Sequence, residues 1–266
     1  YDQRSGRITG NDLHLLLSVS TALPEFWKQL PLGRDVTVIT VDANGLAALA
    51  KPAGVLSHPN SPGEEKRSLL QASYDMEGEF YHWTDPQGSH RIWLLNRLDS
   101  ATSGVILLCK NEELAGVMKE HFRRKRIRKV YNAMVFGKAP TGMQLWRDRL
   151  EIQKQAGRIR TTTRGHIPCE SRMTLLRGWG SLSLIRLEPV TGRSHQLRVQ
   201  CAKRNLPIVG DATYGDFARN RDFQRSMGNN RLFLHSLETT FDYEFHGRRT
   251  FFSAVAPLPV EFESRR

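Results

Sequence analysis

The sequence predicts an α+β protein built on a mixed sheet, and three observations lead to this prediction. Apolar runs typical of strands recur along the chain, turn signals join some of them into hairpins, and helical patterns occur singly between others. A regular alternation of strands and helices would instead indicate a parallel, doubly wound sheet. The chain has 266 residues, of which 39% are hydrophobic, so it can bury a large core without disulfides or metals.

The N-terminal part is predicted to be an extension rather than an independent domain. Residues 1–35 mix polar segments with an amphipathic stretch at residues 13–30 that is expected to form a helix against the body. About 35 residues are too few for a domain of typical size. Residues 36–266 are therefore expected to form a single domain.

The first elements of this domain are predicted to be two strands joined by a tight turn. Residues 36–50 form two β-prone runs around Asn44-Gly45, a pair that tolerates the positive φ angles of a hairpin. The polar residues 58–90 look irregular, with one possible helix at residues 68–74. A continuous apolar run then predicts a buried strand at residues 104–109.

A helix is predicted at residues 112–126, where Leu114, Val117, Met118 and Phe122 recur at helical spacing. Acidic residues at its start and basic residues at its end suit the helix dipole. The remaining predicted elements are strands at residues 130–136, 182–188, 232–241 and 250–255, and a helix capped by Ser194 that runs to about residue 205.

The charge balance favours a polyanionic partner. There are 39 lysines and arginines against 27 acids, a formal net charge of +12, and the simplest such partner is a nucleic acid. An acidic membrane surface or small phosphorylated substrates would also suit a basic surface. No apolar run approaches a membrane span and the N-terminus lacks a signal pattern. The three cysteines are widely spaced, which favours a reducing compartment, so we expect a cytoplasmic protein with no membrane partner.

Several kinds of chemistry are disfavoured because their motifs are missing. The sequence contains no paired C-x-x-C, H-E-x-x-H, Walker-type glycine loop or G-x-S-x-G elbow. The glycines of Gly178-Trp179-Gly180 are too few for a dinucleotide fingerprint and predict a turn between strands. None of the nine histidines lies at metal-ligand spacing from another ligand. We therefore expect no metal and no nucleotide cofactor.

The first candidate site is the segment N-R-L-D-S-A-T-S-G at residues 96–104, a polar turn directly before the predicted buried strand. A carboxylate at this position, Asp99, lies beside an arginine and small hydroxyl residues, as suits a nucleophile or a general base. The alternative is a turn aspartate that bonds its own backbone, a frequent role of aspartate in turns.

Two basic segments are candidates for phosphate binding. Residues 191–198, T-G-R-S-H-Q-L-R, lie at a predicted strand-to-helix junction, where a helix N-terminus and two arginines would attract phosphate. Residues 123–131, R-R-K-R-I-R-K-V-Y, form a run of positive charge. The alternatives are a capped helix with solvated arginines for the first segment and a solvated helix end for the second.

Taken together, six segments resemble the RluA-type pseudouridine synthases, in the order in which that family has them. They are KPAGVLSHP, NRLDSATSGVILLCKN, RKVYNAMVFG, VTGRSHQLRVQ, LPIVGDATYG and LFLHSLE, and the resemblance extends from about Val38 to Pro257. It implies a mixed, largely antiparallel sheet with peripheral helices and a basic RNA-binding cleft. It also implies isomerisation of uridine in RNA to pseudouridine, without metal or organic cofactor, by a catalytic domain at residues 36–266.

The resemblance implies a role for individual residues. Asp99 matches the catalytic aspartate, Tyr131 the tyrosine that stacks on the target base, and Arg198 the basic residue paired with the aspartate. Leu197 matches the apolar neighbour beneath the base, and Arg97 the arginine that helps fill the gap left by a flipped nucleotide. The further residues expected to bind RNA, from the two basic segments, are Arg193, His195, Arg123, Arg124, Lys125 and Arg126.

Two positions depart from the family pattern: Asn96 and Gln200 stand where the family often has histidine, which bears on substrate preference. The expected function is isomerisation of uridines in ribosomal or transfer RNA by a monomer. The alternative is an RNA-binding or RNA-chaperone protein on the same fold, without chemistry. A retaining glycosidase is rejected because it needs two carboxylates, and no second acid accompanies Asp99 in these motifs.

Overall fold

The computed structural model describes residues 23–155 and 158–263. A boundary between two units falls after Leu30, and the second unit begins at Pro31. In the described part of the first unit there is one short helix, α1 (Glu25–Lys28). Most of the helix predicted at residues 13–30 lies outside the described residues.

Within the described residues of the second unit, twelve strands form one sheet. The strands, in chain order, are β1 (Thr37–Val41), β2 (Leu46–Lys51), β3 (Ser73–Asp75), β4 (Phe80–Asp85), β5 (Gly88–Leu94), β6 (Ser103–Cys109), β7 (Arg128–Phe136), β8 (Met143–Gln155), β9 (Arg158–Trp179), β10 (Leu182–Pro189), β11 (Leu234–Phe245) and β12 (Arg248–Val255). The main spatial order is β3-β4-β5-β6-β11-β7-β10-β9-β8, with β2 paired to β6, β1 to β2, and β12 to β11.

The sheet is mixed but largely antiparallel, as predicted. Strands β6 and β11 pair in parallel, whereas the other pairs between the described strands are antiparallel. The predicted hairpin of β1 and β2 is confirmed, and Gly45 adopts the positive φ of 86° that its turn requires. The turn predicted at Gly178–Gly180 is also confirmed, because it joins the antiparallel strands β9 and β10.

The described residues contain three further α-helices, α2 (Glu112–Arg123), α3 (Gln196–Lys203) and α4 (Phe217–Met227), and two short 3-10 helices at Glu65–Arg67 and Val260–Phe262. Helix α2 ends three residues earlier than predicted, and Lys125 just beyond it adopts a left-handed φ of 57° that a continuing helix would not allow. The prediction of a helix at residues 68–74 is wrong. Residues 73–75 form β3, and the amide of Leu69 instead donates to the carbonyl oxygen of Leu56.

The predicted cap of α3 is also wrong. His195 precedes the helix with a left-handed φ of 55°, and no side chain caps the helix start. The carbonyl oxygen of Ser194 accepts a hydrogen bond from the Thr161 hydroxyl at 3.0 Å, so Ser194 belongs to a contact with β9. Tertiary contacts therefore determine how α3 begins.

The sequence analysis did not predict the long hairpin of β8 and β9. Trp146, Asp148 and Leu150 point inward on β8, and the charge of Asp148 interrupts the apolar alternation that would have revealed a strand. Lys203 and Arg204 of the α3 end bind this buried carboxylate at 2.7 and 2.9 Å.

Two of the apolar clusters in the core lie next to the candidate residues. One cluster joins the centre of β7 and β10 to α3 and α4, and the other joins α2 to β6, β11 and β12. The turn before β6 carries Asp99, strand β7 carries Tyr131 and helix α3 carries Arg198, three of the candidate residues.

Candidate active site

Asp99 lies in a turn just before β6. The amide of Thr102 donates to the Asp99 carbonyl oxygen at 2.9 Å and closes this turn. The ammonium of buried Lys51 donates to three carbonyl oxygens, among them that of Ser100 at 3.0 Å. Burial lowers the pKa of Lys51 to about 7, and the negative charge of Asp99 opposes this shift. Lys51 thus holds the backbone of the turn in place, while the Asp99 side chain stays partly exposed.

Arg198 joins the Asp99 carboxylate to a second, buried carboxylate. Its Nη1 donates to Oδ2 of Asp99 at 2.9 Å, and its Nε and Nη2 both donate to Asp211 at 2.8 Å. The amides of Thr213 and Tyr214 also donate to Asp211, at 2.8 and 3.0 Å. Burial raises the pKa of the Asp211 carboxyl, but the Arg198 guanidinium lowers this pKa by a larger amount. The pKa of Asp211 therefore lies below its ordinary value.

This arrangement fixes the orientation of the guanidinium. Arg198 is 8% exposed and Asp211 1% exposed, so water competes little for their bonds. Asp211 uses two donors of the planar fork, which leaves the Nη1 side directed at Asp99. The structure thus brings together Asp99 and Arg198, which lie 99 residues apart in the chain.

Tyr131 and Leu197 complete the apolar side of the site. Tyr131 is half-buried on β7, opposite Ser236 of β11 and Leu187 of β10. Burial raises the pKa of Tyr131 to about 12, and the charge of nearby Asp99 adds to the shift, so the phenol is neutral at physiological pH. Tyr131 packs against the same apolar cluster that contains Leu197 of α3.

His195 is a second neighbour of Asp99. Its Nε2 lies 3.7 Å from Oδ2 of Asp99, and its Nδ1 lies 2.8 Å from the Tyr214 hydroxyl. Burial lowers the pKa of His195, with Asp99 opposing the shift. The Tyr214 hydroxyl also accepts from the amide of Thr161 on β9 at 2.9 Å. The β8–β9 hairpin therefore supports the segment that carries His195 and Arg198.

The basic residues predicted to bind RNA do not share one environment. Arg123 and Arg124 are both ion-paired with Glu120 of the same helix. Lys125 and Arg193 instead line one pocket of about 660 Å³. Its other charged lining residues are Arg147, Asp148, Arg149, Glu170 and Lys203.

Arg97 and Arg126 are exposed, and neither lines this pocket. The structure thus gathers the predicted catalytic residues but separates the members of the basic run.

The two positions that depart from the family pattern have structural partners. The Asn96 side chain accepts a hydrogen bond from the Leu107 amide at 2.8 Å. Gln200 accepts from the Ser171 hydroxyl at 2.8 Å and donates to Asp148 at 2.9 Å. Both side chains thus stabilise elements next to the site.

Sequence reasoning missed three residues that position the site: Lys51, Asp211 and Tyr214. Asp211 and Tyr214 lie in LPIVGDATYG, a segment used for the resemblance but given no chemical role. Lys51 ends a strand before Pro52, where a lysine is ordinarily solvated. Only the fold places its ammonium beneath the Asp99 turn.

In the part of the chain that the structure describes, no three histidine, cysteine, aspartate or glutamate side chains are grouped so that they could hold a metal ion. The helices of these same residues are too short and too polar to span a membrane. The three cysteines are buried free thiols.

Comparison with known proteins finds RNA pseudouridine synthases. The family model for RNA pseudouridylate synthase matches residues 45–203. Ribosomal large subunit pseudouridine synthase D of Borreliella burgdorferi is 29% identical over 235 residues, which cover 87% of this chain and 68% of that protein. tRNA pseudouridine synthase C of Yersinia pestis is 32% identical over 205 residues, covering 72% of this chain and 75% of that protein.

Ribosomal large subunit pseudouridine synthase C of Haemophilus influenzae is 32% identical over 167 residues, 60% of this chain and 50% of that protein. The chain thus spans from half to three quarters of the length of these three relatives.

Two solved structures share the fold. Human RNA pseudouridylate synthase domain containing 1 superposes with a TM-score of 0.61 at 20% identity, covering 85% of each chain. Human RNA pseudouridylate synthase domain containing 4 gives 0.60 at 21% identity, covering 85% and 90%.

Proposed function

The chain belongs to the RNA pseudouridylate synthase family, and from this premise we propose that it isomerises specific uridines in ribosomal or transfer RNA to pseudouridine. Its relatives are named for both kinds of RNA. The matched residues 45–203 include Asp99, Tyr131 and Arg198. The non-catalytic alternative is not favoured, because binding of phosphates gives no reason for a carboxylate held on a buried guanidinium.

The contact between Asp99 and Arg198 is the observation that carries this proposal. Isomerisation breaks the bond between C1′ of the ribose and N1 of uracil and forms a bond between C1′ and C5. N1 gains a proton and C5 loses one, so the reaction needs no oxidant or co-reactant. Asp99 supplies the carboxylate that reacts with the uridine, and Arg198 holds it in one orientation.

Tyr131 and Leu197 receive the target base. A uracil inside a folded RNA is out of reach of a carboxylate, so the nucleotide is extruded from its stack. The Tyr131 ring offers an aromatic face that offsets the lost stacking, and buried Leu197, in the apolar cluster against which Tyr131 packs, lies beneath the base. The exposed side chain of Arg97, two residues before Asp99, occupies the gap left in the RNA.

RNA phosphates bind the basic surface around this site. Lys125 and Arg193 line one pocket, and neither has an ion-pair partner among the residues that the structure describes. We assign residues 36–266 to the catalytic domain and residues 1–35 to an extension. We also propose that the protein acts as a monomer in the cytoplasm, on ribosomal or transfer RNA and without a cofactor.

The test is incubation of the purified protein with unmodified ribosomal and transfer RNA transcripts, followed by mapping of pseudouridine. The wild type is expected to form pseudouridine at defined positions. Asp99→Asn is expected to form none while it binds the same RNA with nearly unchanged affinity, because phosphates supply most of that affinity.

Two outcomes would contradict the proposal. A wild-type protein that binds these RNAs but forms no pseudouridine would favour the RNA-binding alternative. Near-normal turnover by Asp99→Asn would remove Asp99 from the reaction.

A further inference from the structure

Lys129 is a half-buried cation that the proposed reaction does not use. It lies on β7, and burial lowers the pKa of its ammonium. No hydrogen bond or ion pair to this ammonium is found among the residues that the structure describes. A buried charge is costly unless a partner of opposite charge compensates it, so an anion that binds at Lys129 would stabilise the charged ammonium.

The position of Lys129 directs it toward the candidate active site. Side chains two residues apart on a strand share a face, so Lys129 projects on the same side of β7 as Tyr131. A Cβ atom built on Gly192 would lie 3.4 Å from Nζ of Lys129. The ammonium therefore lies between the strand that carries Tyr131 and the loop that continues to Arg193 and His195.

The neighbouring acids do not compensate Lys129. Arg128, which projects on the opposite face of β7, holds both Glu188 and Glu238 at 3.1 Å. The cross-strand neighbour of Lys129 is Thr239, which is buried and uncharged. Arg128 on one face of this strand end is thus paired, whereas Lys129 on the face toward the site has no ion-pair partner among the described residues.

We propose that Lys129, with the Gly192 backbone beside it, forms a subsite for the RNA phosphodiester that flanks the extruded uridine. This inference rests on the proposed function for the identity of the ligand. Phosphates are the anions that RNA carries, and a compact ammonium binds them as a point charge. Gly192 has no side chain that would screen the ammonium, and exposed Arg193 is the next residue. The subsite would fix the backbone next to the base that Tyr131 stacks on.

The test combines protein variants with a neutral backbone substitution in the RNA. The probe is an RNA oligonucleotide that contains the uridine modified by the wild type, with methylphosphonate placed at one phosphate at a time. The protein variants are Lys129→Met, Lys129→Arg and the control Lys138→Met, which removes an exposed lysine just beyond the end of β7.

Lys129→Met is expected to weaken binding about tenfold and to lower the log–log salt slope by roughly 0.7 to 0.9, the share of one phosphate contact. Lys129→Arg should keep the wild-type slope, and Lys138→Met should behave as the wild type. One methylphosphonate next to the uridine should weaken binding by the wild type but cause no further loss in Lys129→Met. Thermal unfolding of each variant shows whether it is folded.

Two results would overturn the subsite. One is wild-type affinity and salt slope for a folded Lys129→Met. The other is an equal loss for wild type and Lys129→Met at every methylphosphonate position. Because the binding measurements need no turnover, they separate the two proposals. If the wild type forms no pseudouridine, the proposed function is contradicted but the subsite is not. A methylphosphonate scan of the RNA that the protein binds then still tests the subsite.

Discussion

Arginines occur in two contrasting settings, at the candidate active site and at the end of α2. Arg198 is 8% exposed and bonds to two carboxylates on different segments of the chain, Asp99 and Asp211. Arg123 and Arg124 are exposed and share one carboxylate, Glu120, on their own helix. An exposed ion pair within one helix contributes little to stability and leaves both charged side chains free to move. The comparison shows that burial and the number of partners, rather than charge, distinguish an orienting arginine from a surface one.

Among the variants that test this comparison, Asp211→Asn is expected to have the largest effect, a loss of stability. Removal of one partner from a buried ion pair costs about 3–5 kcal/mol, because the other charge stays buried without compensation. We expect the free energy of unfolding in urea to fall by about this amount at pH 7. The control is Asp222→Asn, since Asp222 is 73% exposed and pairs with Arg225 on the surface.

The pH dependence provides a second measurement on the same variant. The pKa of Asp211 is lowered in the folded state, so the unfolded chain takes up the proton first as the pH falls. The stabilisation is therefore present above the ordinary value of 3.8 and is lost below it. The difference between wild type and Asp211→Asn should shrink below about pH 4. Equal stabilities at pH 7 would show that Arg198 does not depend on Asp211.

The next expected effect concerns the aromatic side of the site. Tyr131→Ala should lose about 1–3 kcal/mol of binding to the target RNA, because it removes the stacking surface for the base. Tyr131→Phe keeps that surface and should bind as the wild type. If the hydroxyl also transfers a proton, Tyr131→Phe will bind RNA but turn over slowly. Wild-type kinetics and affinity for both variants would place Tyr131 outside the site.

The smallest expected effects arise on the basic surface. The double variant Lys125→Gln/Arg193→Gln should lower the log–log salt slope of RNA binding by about 1.4 to 1.8, as for two lost phosphate contacts. The matched pair Arg123→Gln/Arg124→Gln should change the slope less, because Glu120 already compensates part of that charge. An equal change for the two pairs would show that ion pairing does not distinguish them.

The fold could be predicted where apolar periodicity is uninterrupted. Strands β6, β7 and β10 and helix α2 follow patterns that local sequence determines. The β8–β9 hairpin escaped prediction because Asp148 points inward, and the residues that compensate its charge, among them Lys203 and Arg204, lie far away in the chain. The start of α3 escaped it because contacts with β9, rather than the capping tendency of Ser194, determine that turn.

The candidate site could be predicted only in part. The resemblance supplied Asp99 and Arg198, and the fold brings them within 2.9 Å. The supporting residues Lys51 and Asp211 could not be predicted, because their functions depend on burial and on partners far apart in the chain. The basic cleft that the resemblance implies stays a prediction.

The measurement that tests the central claim most directly is the single-turnover rate of Arg198→Lys at saturating RNA, with Arg123→Lys as the matched control. Lysine keeps the charge but cannot bond to Asp99 and Asp211 together through a planar fork. We expect the rate of pseudouridine formation to fall roughly 10²-fold, the scale of loss for a slightly misplaced reacting group. The RNA Kd should stay unchanged, and Arg123→Lys should match the wild type in both rate and Kd. A wild-type rate for a folded Arg198→Lys would contradict the claim that the clamped guanidinium positions the Asp99 carboxylate.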